Sequence, residues 1–358
     1  MKAGKTISEL ALTLEQQLPL KRDFVVDTRR LELVPKEHGV LLDLQTNDDV
    51  CEELGMTDLA HRQLGETLNI PTKYYGRMLT EAPNLLAENA NYWFAHQPSV
   101  RMVRTLAGNA RAFVSRKYNR MDNYDVARAV LPIFQDMPGM RFESCELTES
   151  RMYMKAVNPR LQADVRVGDT VQAGVLISNS EVGLGTVTVV PLIYRLVCTN
   201  GMVVNDGGVK RRHVGRALEI DSNYSLFSDA TKKAEDTAFL MKIRDIVKVA
   251  ADEARFHAVV ERMKQAADNT MTTRNIPKVV ELAAKHFFIT EDETKGVMGH
   301  LLNDGDGYSL YGLANAITAQ AQEVESYDRS TDLEKTGYEV MTMAPSLWKQ
   351  INIMAENA

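Results

Sequence analysis

Residues 7–17 place Leu10, Leu14 and the neighbouring Ala11 and Leu18 on one face at helical spacing, which predicts a short helix. Two strand-like runs follow, 24–34 and 40–44, joined by the turn residues 35–39. Thr57 then caps a helix to about Leu68, and Pro71 opens another over 72–79, because proline is tolerated in a first helical turn. The middle of the chain changes period. Residues 110–116 are short and β-prone, 141–147 and 151–157 read as a hairpin, and 170–180 with 186–198 form a longer pair joined around Gly183 and Gly185. Pro191 within the last run predicts a bulge or an edge position. The alternation is imperfect, as expected where both faces of a sheet are partly covered.

From Tyr224 to about Ala267 there is neither proline nor glycine, and Phe239, Ile243, Ile246, Val249 and Ala250 recur at helical spacing. That predicts one very long helix, or two broken near Ser228. Further helices are expected over 277–288, 291–302, 309–325 and 332–343. The class is therefore α+β: a central antiparallel sheet with a helical N-terminal appendage and a helical C-terminal third. The expected divisions are 1–100, a mixed segment with a helical hairpin; 101–222, a basic β-rich core; and 223–358, a helical, acidic region.

Composition adds limits. At 358 residues, with 44% apolar and 25% charged positions, the chain is that of an ordinary globular protein. It has no apolar run long enough to span a membrane, and its first residues lack the apolar stretch of a signal peptide. Cys51, Cys145 and Cys198 are odd in number and far apart, which fits a reducing compartment better than a disulfide frame. A cytoplasmic protein with no membrane partner is expected. The net charge of −6 is unevenly spread. Residues 101–216 carry 17 Lys+Arg against 10 Asp+Glu, whereas 291–358 carry 4 against 12. This predicts a basic working centre and an acidic tail region.

No Walker loop, Gly-x-Ser-x-Gly elbow or His-Glu-x-x-His helix is present. The seven histidines lack ligand spacing, and 303–308 reads as a turn rather than a calcium loop. No catalytic residue, metal or cofactor is assigned. The strongest signal is 101–121, where Arg101, Arg104, Arg111, Arg116, Lys117 and Arg120 occur with no acid among them and with Phe113 and Tyr118 interleaved. Cations that track phosphates beside aromatic faces that stack on bases are what single-strand binding requires. Asp122 and Asn123 follow as a cap for a helix over 124–134, whose N-terminus could help hold a phosphate. Lys210, Arg211, Arg212 and Arg216 form a second cluster in a glycine-rich loop, and Arg151, Tyr153 and Lys155 share one strand face as a third contribution. Residues 63–78 resemble a helix-turn-helix bearing Lys73, Tyr74 and Arg77, and equally an ordinary helical hairpin packed on a sheet.

Three segments look familiar together: Arg111-Ala-Phe-Val-Ser-Arg-Lys-Tyr-Asn-Arg-Met-Asp-Asn; Tyr194-Arg-Leu-Val-Cys-Thr-Asn-Gly-Met; and Tyr311-Gly-Leu-Ala-Asn-Ala-Ile-Thr-Ala-Gln-Ala-Gln with Tyr327-Asp-Arg and Leu333-Glu-Lys-Thr-Gly. They resemble the phage- and plasmid-borne family named domain of unknown function 932. That resemblance implies a home on mobile DNA and supplies no activity or catalytic residue. Hairpins followed by a long helix also offer a fold-level analogy to single-strand annealing proteins of the Rad52 type. The expected function is single-stranded nucleic-acid binding, DNA first, with strand annealing as a homo-oligomer. A protein that engages a host defence factor, and an enzyme of unknown class acting on nucleic acid, are the alternatives.

Overall fold

The computed structural model describes residues 1–37, 39–46, 50–118, 120–137, 139–205, 209–212, 229–250, 252–303, 305 and 307–358. Helix α1 (Ile7–Gln17) begins in a capping box, with the Glu9 N–H donating to Thr6 Oγ1 and the Thr6 N–H donating to Glu9 Oε2. Its Leu10 and Leu14 are buried, as their spacing predicts. Strands β1 (Lys21–Asp27), β2 (Leu31–Pro35), β3 (Val40–Gln45) and β4 (Cys51–Met56) follow, and then α2 (Asp58–Thr67), α3 (Thr72–Glu81) and α4 (Pro83–His96). Thr57 is the N-cap of α2 and accepts from the Ala60 N–H. Strands β5 (Val100–Leu106) and β6 (Asn109–Ser115) complete a six-stranded sheet in the order β1-β5-β6-β4-β3-β2. Its pairings are antiparallel except β4 with β6. Because β1 and β2 are its two edges yet lie only three residues apart in the chain, the sheet curls back on itself. Its concave side packs Leu33, Leu42, Leu44, Val103 and Phe113 against Leu64, Tyr75, Met78, Leu86 and Phe94 of the three helices.

After α5 (Asn123–Gln135), a second sheet is built from β7 (Arg141–Leu147), β8 (Met152–Arg166), β9 (Asp169–Asn179), β10 (Thr186–Arg195), β11 (Gly201–Val203) and β12 (Val209–Arg212). The α+β class is borne out, with the strands divided between two sheets. The basic stretch 101–115 lies in the first sheet and not in the second. β8 runs on past Pro159, and a register irregularity between Asn158 and Gln162 accommodates that residue. Pro191 is at neither an edge nor a bulge. It pairs with Val175 on one side, and on the other it falls in the gap between β12, which pairs with residues 186–189, and β11, which pairs with 192–194. A missing N–H costs nothing there. The strand edge expected near Pro191 is thus covered and gives no ground for self-association.

Helices α6 (Asp229–Ala250), α7 (Glu253–Asp268), α8 (Ile276–His286), α9 (Glu291–Asn303), α10 (Leu310–Gln320), α11 (Tyr327–Met341) and α12 (Pro345–Glu356) follow. The long helical stretch is broken at Asp252, the N-cap of α7; the break expected near Ser228 lies outside the described residues. The second sheet is sandwiched. On one face Met152, Met154, Val175, Ile177 and Val189 pack with α1, α5 and α6, and farther along the same strands Ala173, Ile193 and Met202 pack with α7 and the helices after it; on the other face Tyr153, Leu176, Val190 and Leu192 pack with Tyr327 of α11. Burial on both faces is why its strands read as nearly continuous apolar runs. Among the described residues no helix is long and apolar enough to cross a membrane.

Candidate nucleic-acid interface

The two sheets meet at the loop 180–185, which joins β9 to β10. Gly183 has φ +84°, and a Cβ there would stand 2.9 Å from Val114 Cγ1, so glycine is required twice over. Gln63 on α2 clamps the loop to the first sheet: its Nε2 donates to the Val182 carbonyl at 2.7 Å and its Oε1 accepts from the Phe113 N–H at 2.7 Å. The Tyr118 hydroxyl donates to the Ser180 carbonyl (3.0 Å), and Arg151 Nη2 donates to the Leu184 carbonyl (2.5 Å).

Glu181, in the same loop, is only 2% exposed. Its carboxylate takes Lys21 Nζ at 2.6 Å, Arg111 Nη1 at 2.5 Å and the Asn123 N–H at 2.5 Å. Arg104 lies beside it, 1% exposed, donating to Asp23 through Nε (2.9 Å), to Asp122 through Nη2 (2.6 Å) and to the Glu181 carbonyl through Nη1 (2.7 Å). Lys21, Arg104 and Arg111 thus face Asp23, Asp122 and Glu181, three cations against three carboxylates. Buried charges persist when paired in this way. Burial works against the charge on Arg104, but Asp122 and Asp23 outweigh it and raise its pKa. Burial likewise opposes ionisation of Asp122, yet Arg104 and Lys21 hold its carboxyl below the ordinary value. Asp122 is the N-cap residue of α5 as expected, but its side chain makes no capping bond because Arg104 takes it.

Arg151, Tyr153 and Lys155 line up as the strand alternation predicts, but Tyr153 and Lys155 are buried and Arg151 is half-buried. The Tyr153 hydroxyl donates to Asp328 at 2.7 Å, and Asp328 also accepts from Thr148 and Ser150. Lys155 Nζ meets Glu334 at 2.6 Å and lies 4.7 Å from the centre of the Tyr327 ring. A third junction ties β9 and β10 to α10. Arg195 makes a two-pronged contact with Asp169, which also accepts from the Tyr311 hydroxyl at 2.8 Å.

The sequence-predicted site residues therefore separate by environment. Arg104, Arg111, Tyr153 and Lys155 are buried in ion pairs or hydrogen bonds, and Phe113, 3% exposed, belongs to the first sheet's core and presents no face to a base. Tyr118 is half-buried, and burial pushes its hydroxyl up to about 12. Arg101 is half-buried and donates to Ser99. Arg116, Lys117 and Arg120 are exposed on the turn after β6. Arg120 reaches Asp23 at 3.3 Å, whereas the Arg116 and Lys117 side chains make no ion pair or hydrogen bond among the described residues. Lys210, Arg211 and Arg212 lie on β12, paired with β10, and Arg216 is outside the described residues. On α3, Lys73, Tyr74 and Arg77 face solvent, with Arg77 bound to Glu81, while Tyr75 and Met78 pack inward. Sequence reasoning missed Arg62 on α2, which is exposed without a partner among the described residues, and the acids Asp23, Glu181, Asp328 and Glu334 that neutralise the basic centre.

An α+β chain whose sheets are pinned by buried ion pairs is thus the class of protein in hand. The three segments of the resemblance supply many of those pins: Arg111 and Asp122, then Arg195 and Asn200, then Tyr311, Thr318 and Glu334. The chain belongs to the family described as Domain of unknown function (DUF932), whose sequence profile matches residues 111–348. No curated protein and no solved structure matches it.

Proposed function

We propose that this protein binds single-stranded nucleic acid, DNA first, over the surface formed by the 116–118 turn and the adjoining loop 180–185. One observation carries the reading. The buried cations are balanced by buried acids, whereas Arg116 and Lys117 stand in solvent with no acid paired to them among the described residues. Exposed cations that lack a partner within the protein can release counterions from a phosphate backbone. Arg120 and Arg101 flank that turn, and Tyr118 fixes it to Ser180. A cytoplasmic role on mobile DNA, with strand annealing by a homo-oligomer, is the extension of this reading. Size-exclusion mass with and without single-stranded DNA tests the assembly.

The direct experiment is titration of a labelled oligothymidylate at low and moderate salt. Arg116→Ala with Lys117→Ala should weaken binding and flatten the slope of log affinity against log salt by about 0.7 per lost phosphate contact. A folded double variant with unchanged affinity and slope overturns the assignment.

A further inference from the structure

The loop 180–185 has a second wall. Between α2, the β7–β8 turn and α11 it borders a cleft of about 310 Å³, lined by Arg62, Glu149, Ser150, Arg151, Leu184 and Asp328, with Leu59 at the base of α2. Three parts of the fold meet there. The charges in it are not all spent. Ser150 Oγ is held by Asp328 and Arg151 is tethered to the Leu184 carbonyl, but the exposed Arg62 guanidinium and the exposed Glu149 carboxylate have no partner among the described residues. Leu184, 38% exposed, offers apolar surface beside them.

We propose that this cleft is a pocket for one nucleotide bearing an exocyclic amino group, occupied by a base of the bound strand. The inference rests on the strand-binding reading and adds a subsite to it. A ligand that satisfies the cleft must bring an anion for Arg62, a hydrogen-bond donor for Glu149 and a flat apolar body for Leu184. A cytidine or adenosine 5′-phosphate has all three, its amino group free to donate to Glu149, whereas a thymidine phosphate offers only a ring N3–H flanked by two carbonyl oxygens that repel a carboxylate. The position fits as well. Leu184 is four residues beyond Ser180, whose carbonyl anchors Tyr118 beside Arg116 and Lys117, so Leu184 lies within about 14 Å of that anchor point. A strand crossing the turn can therefore set one of its bases into the cleft.

Isothermal titration of the full chain with dCMP, dTMP and inorganic phosphate tests this. The dCMP complex should be about tenfold tighter than the dTMP complex, the size of one charge-assisted hydrogen bond, and phosphate alone should bind most weakly. Glu149→Gln should bring dCMP down to the dTMP level, and Arg62→Ala should weaken both nucleotides alike. Both side chains are exposed and unpaired, so circular dichroism should show folded variants. Equal affinity for dCMP and dTMP, no dCMP binding at millimolar concentration, or dCMP binding unchanged in both variants overturns the pocket. The two proposals fail separately. Mononucleotide binding with this pattern but no oligonucleotide binding removes the strand reading and leaves the pocket. Oligonucleotide binding that is lost in the Arg116→Ala, Lys117→Ala variant, with no dCMP binding, does the reverse.

Discussion

Lys155 Nζ stands 2.6 Å from Glu334 Oε2, and neither side chain is more than 1% exposed. The pair fastens β8 of the second sheet to α11 across 179 residues of sequence. Burial pulls the Lys155 pKa down, and Glu334 opposes that pull. The other carboxylate oxygen of Glu334 has no hydrogen-bond partner, so the pair depends on its one contact. Removing either partner alone strands a charge in a site closed to water.

Single substitutions should therefore be severe and the double one mild. Lys155→Met or Glu334→Leu alone should cost about 3–5 kcal/mol, the range for breaking a buried pair. The double variant should recover much of that loss, since apolar side chains of similar volume can replace a buried pair at little cost. Urea denaturation of the four proteins gives the coupling energy. Additive losses would show that the ion pair does not fasten the strand to the helix.

The loop 180–185 should behave as a structural joint. Glu181→Gln leaves Lys21 and Arg111 without their carboxylate, and its melting temperature should fall clearly. Tyr118→Phe removes the bond to Ser180 and should cost about 0.5–1.5 kcal/mol. The Arg116→Ala, Lys117→Ala variant should stay within roughly 0.5 kcal/mol of the parent, as surface changes do. A thermal-melt series ranks the three, and an order with the surface variant worst contradicts the arrangement.

Acid should loosen the junction of α9 with α11. Glu293 takes both prongs of Arg329, at 2.7 Å each, and that hydrogen bonding holds its carboxyl at about 2 against the ordinary value of 4.5. Its folded pKa is depressed, so its contribution is full above the unfolded value and is lost as pH falls from about 4.5 towards 2. Glu293→Gln should be less stable than the parent at neutral pH and should converge with it across that window. Stability measured by denaturant at pH 7, 4 and 2.5 checks the sign.

Much of the fold was legible where one face of an element is apolar and its ends carry turn chemistry. Thr57 marks the start of α2, and Gly183 and Gly185 mark the turn between β9 and β10. Helix α4 was not anticipated, although Leu86, Ala90 and Phe94 recur at helical spacing and Pro83 opens it. Strand β5 was missed because Arg101 and Arg104 make it read as a charged surface run, when Arg104 in fact points at buried carboxylates. The same limit governs the site. Cations cluster locally and are visible in a short window, whereas Asp23 is 81 residues from Arg104 and Glu334 is 179 from Lys155. Only the folded chain shows which charges are already matched.

The span shared with the family begins at Arg111, in the middle of β6. A fragment cut to that span would lose β5, the antiparallel neighbour of β6, together with Lys21 and Arg104. The Glu181 carboxylate would keep Arg111 alone of its two cations, and Asp122 would lose the guanidinium that holds it ionised. Trimming to the shared span is therefore not excision of an autonomous folding unit. The first 110 residues supply a neighbouring strand and cations that the matched span needs to close its buried charges, so expression of the matched region alone should yield aggregate rather than soluble protein.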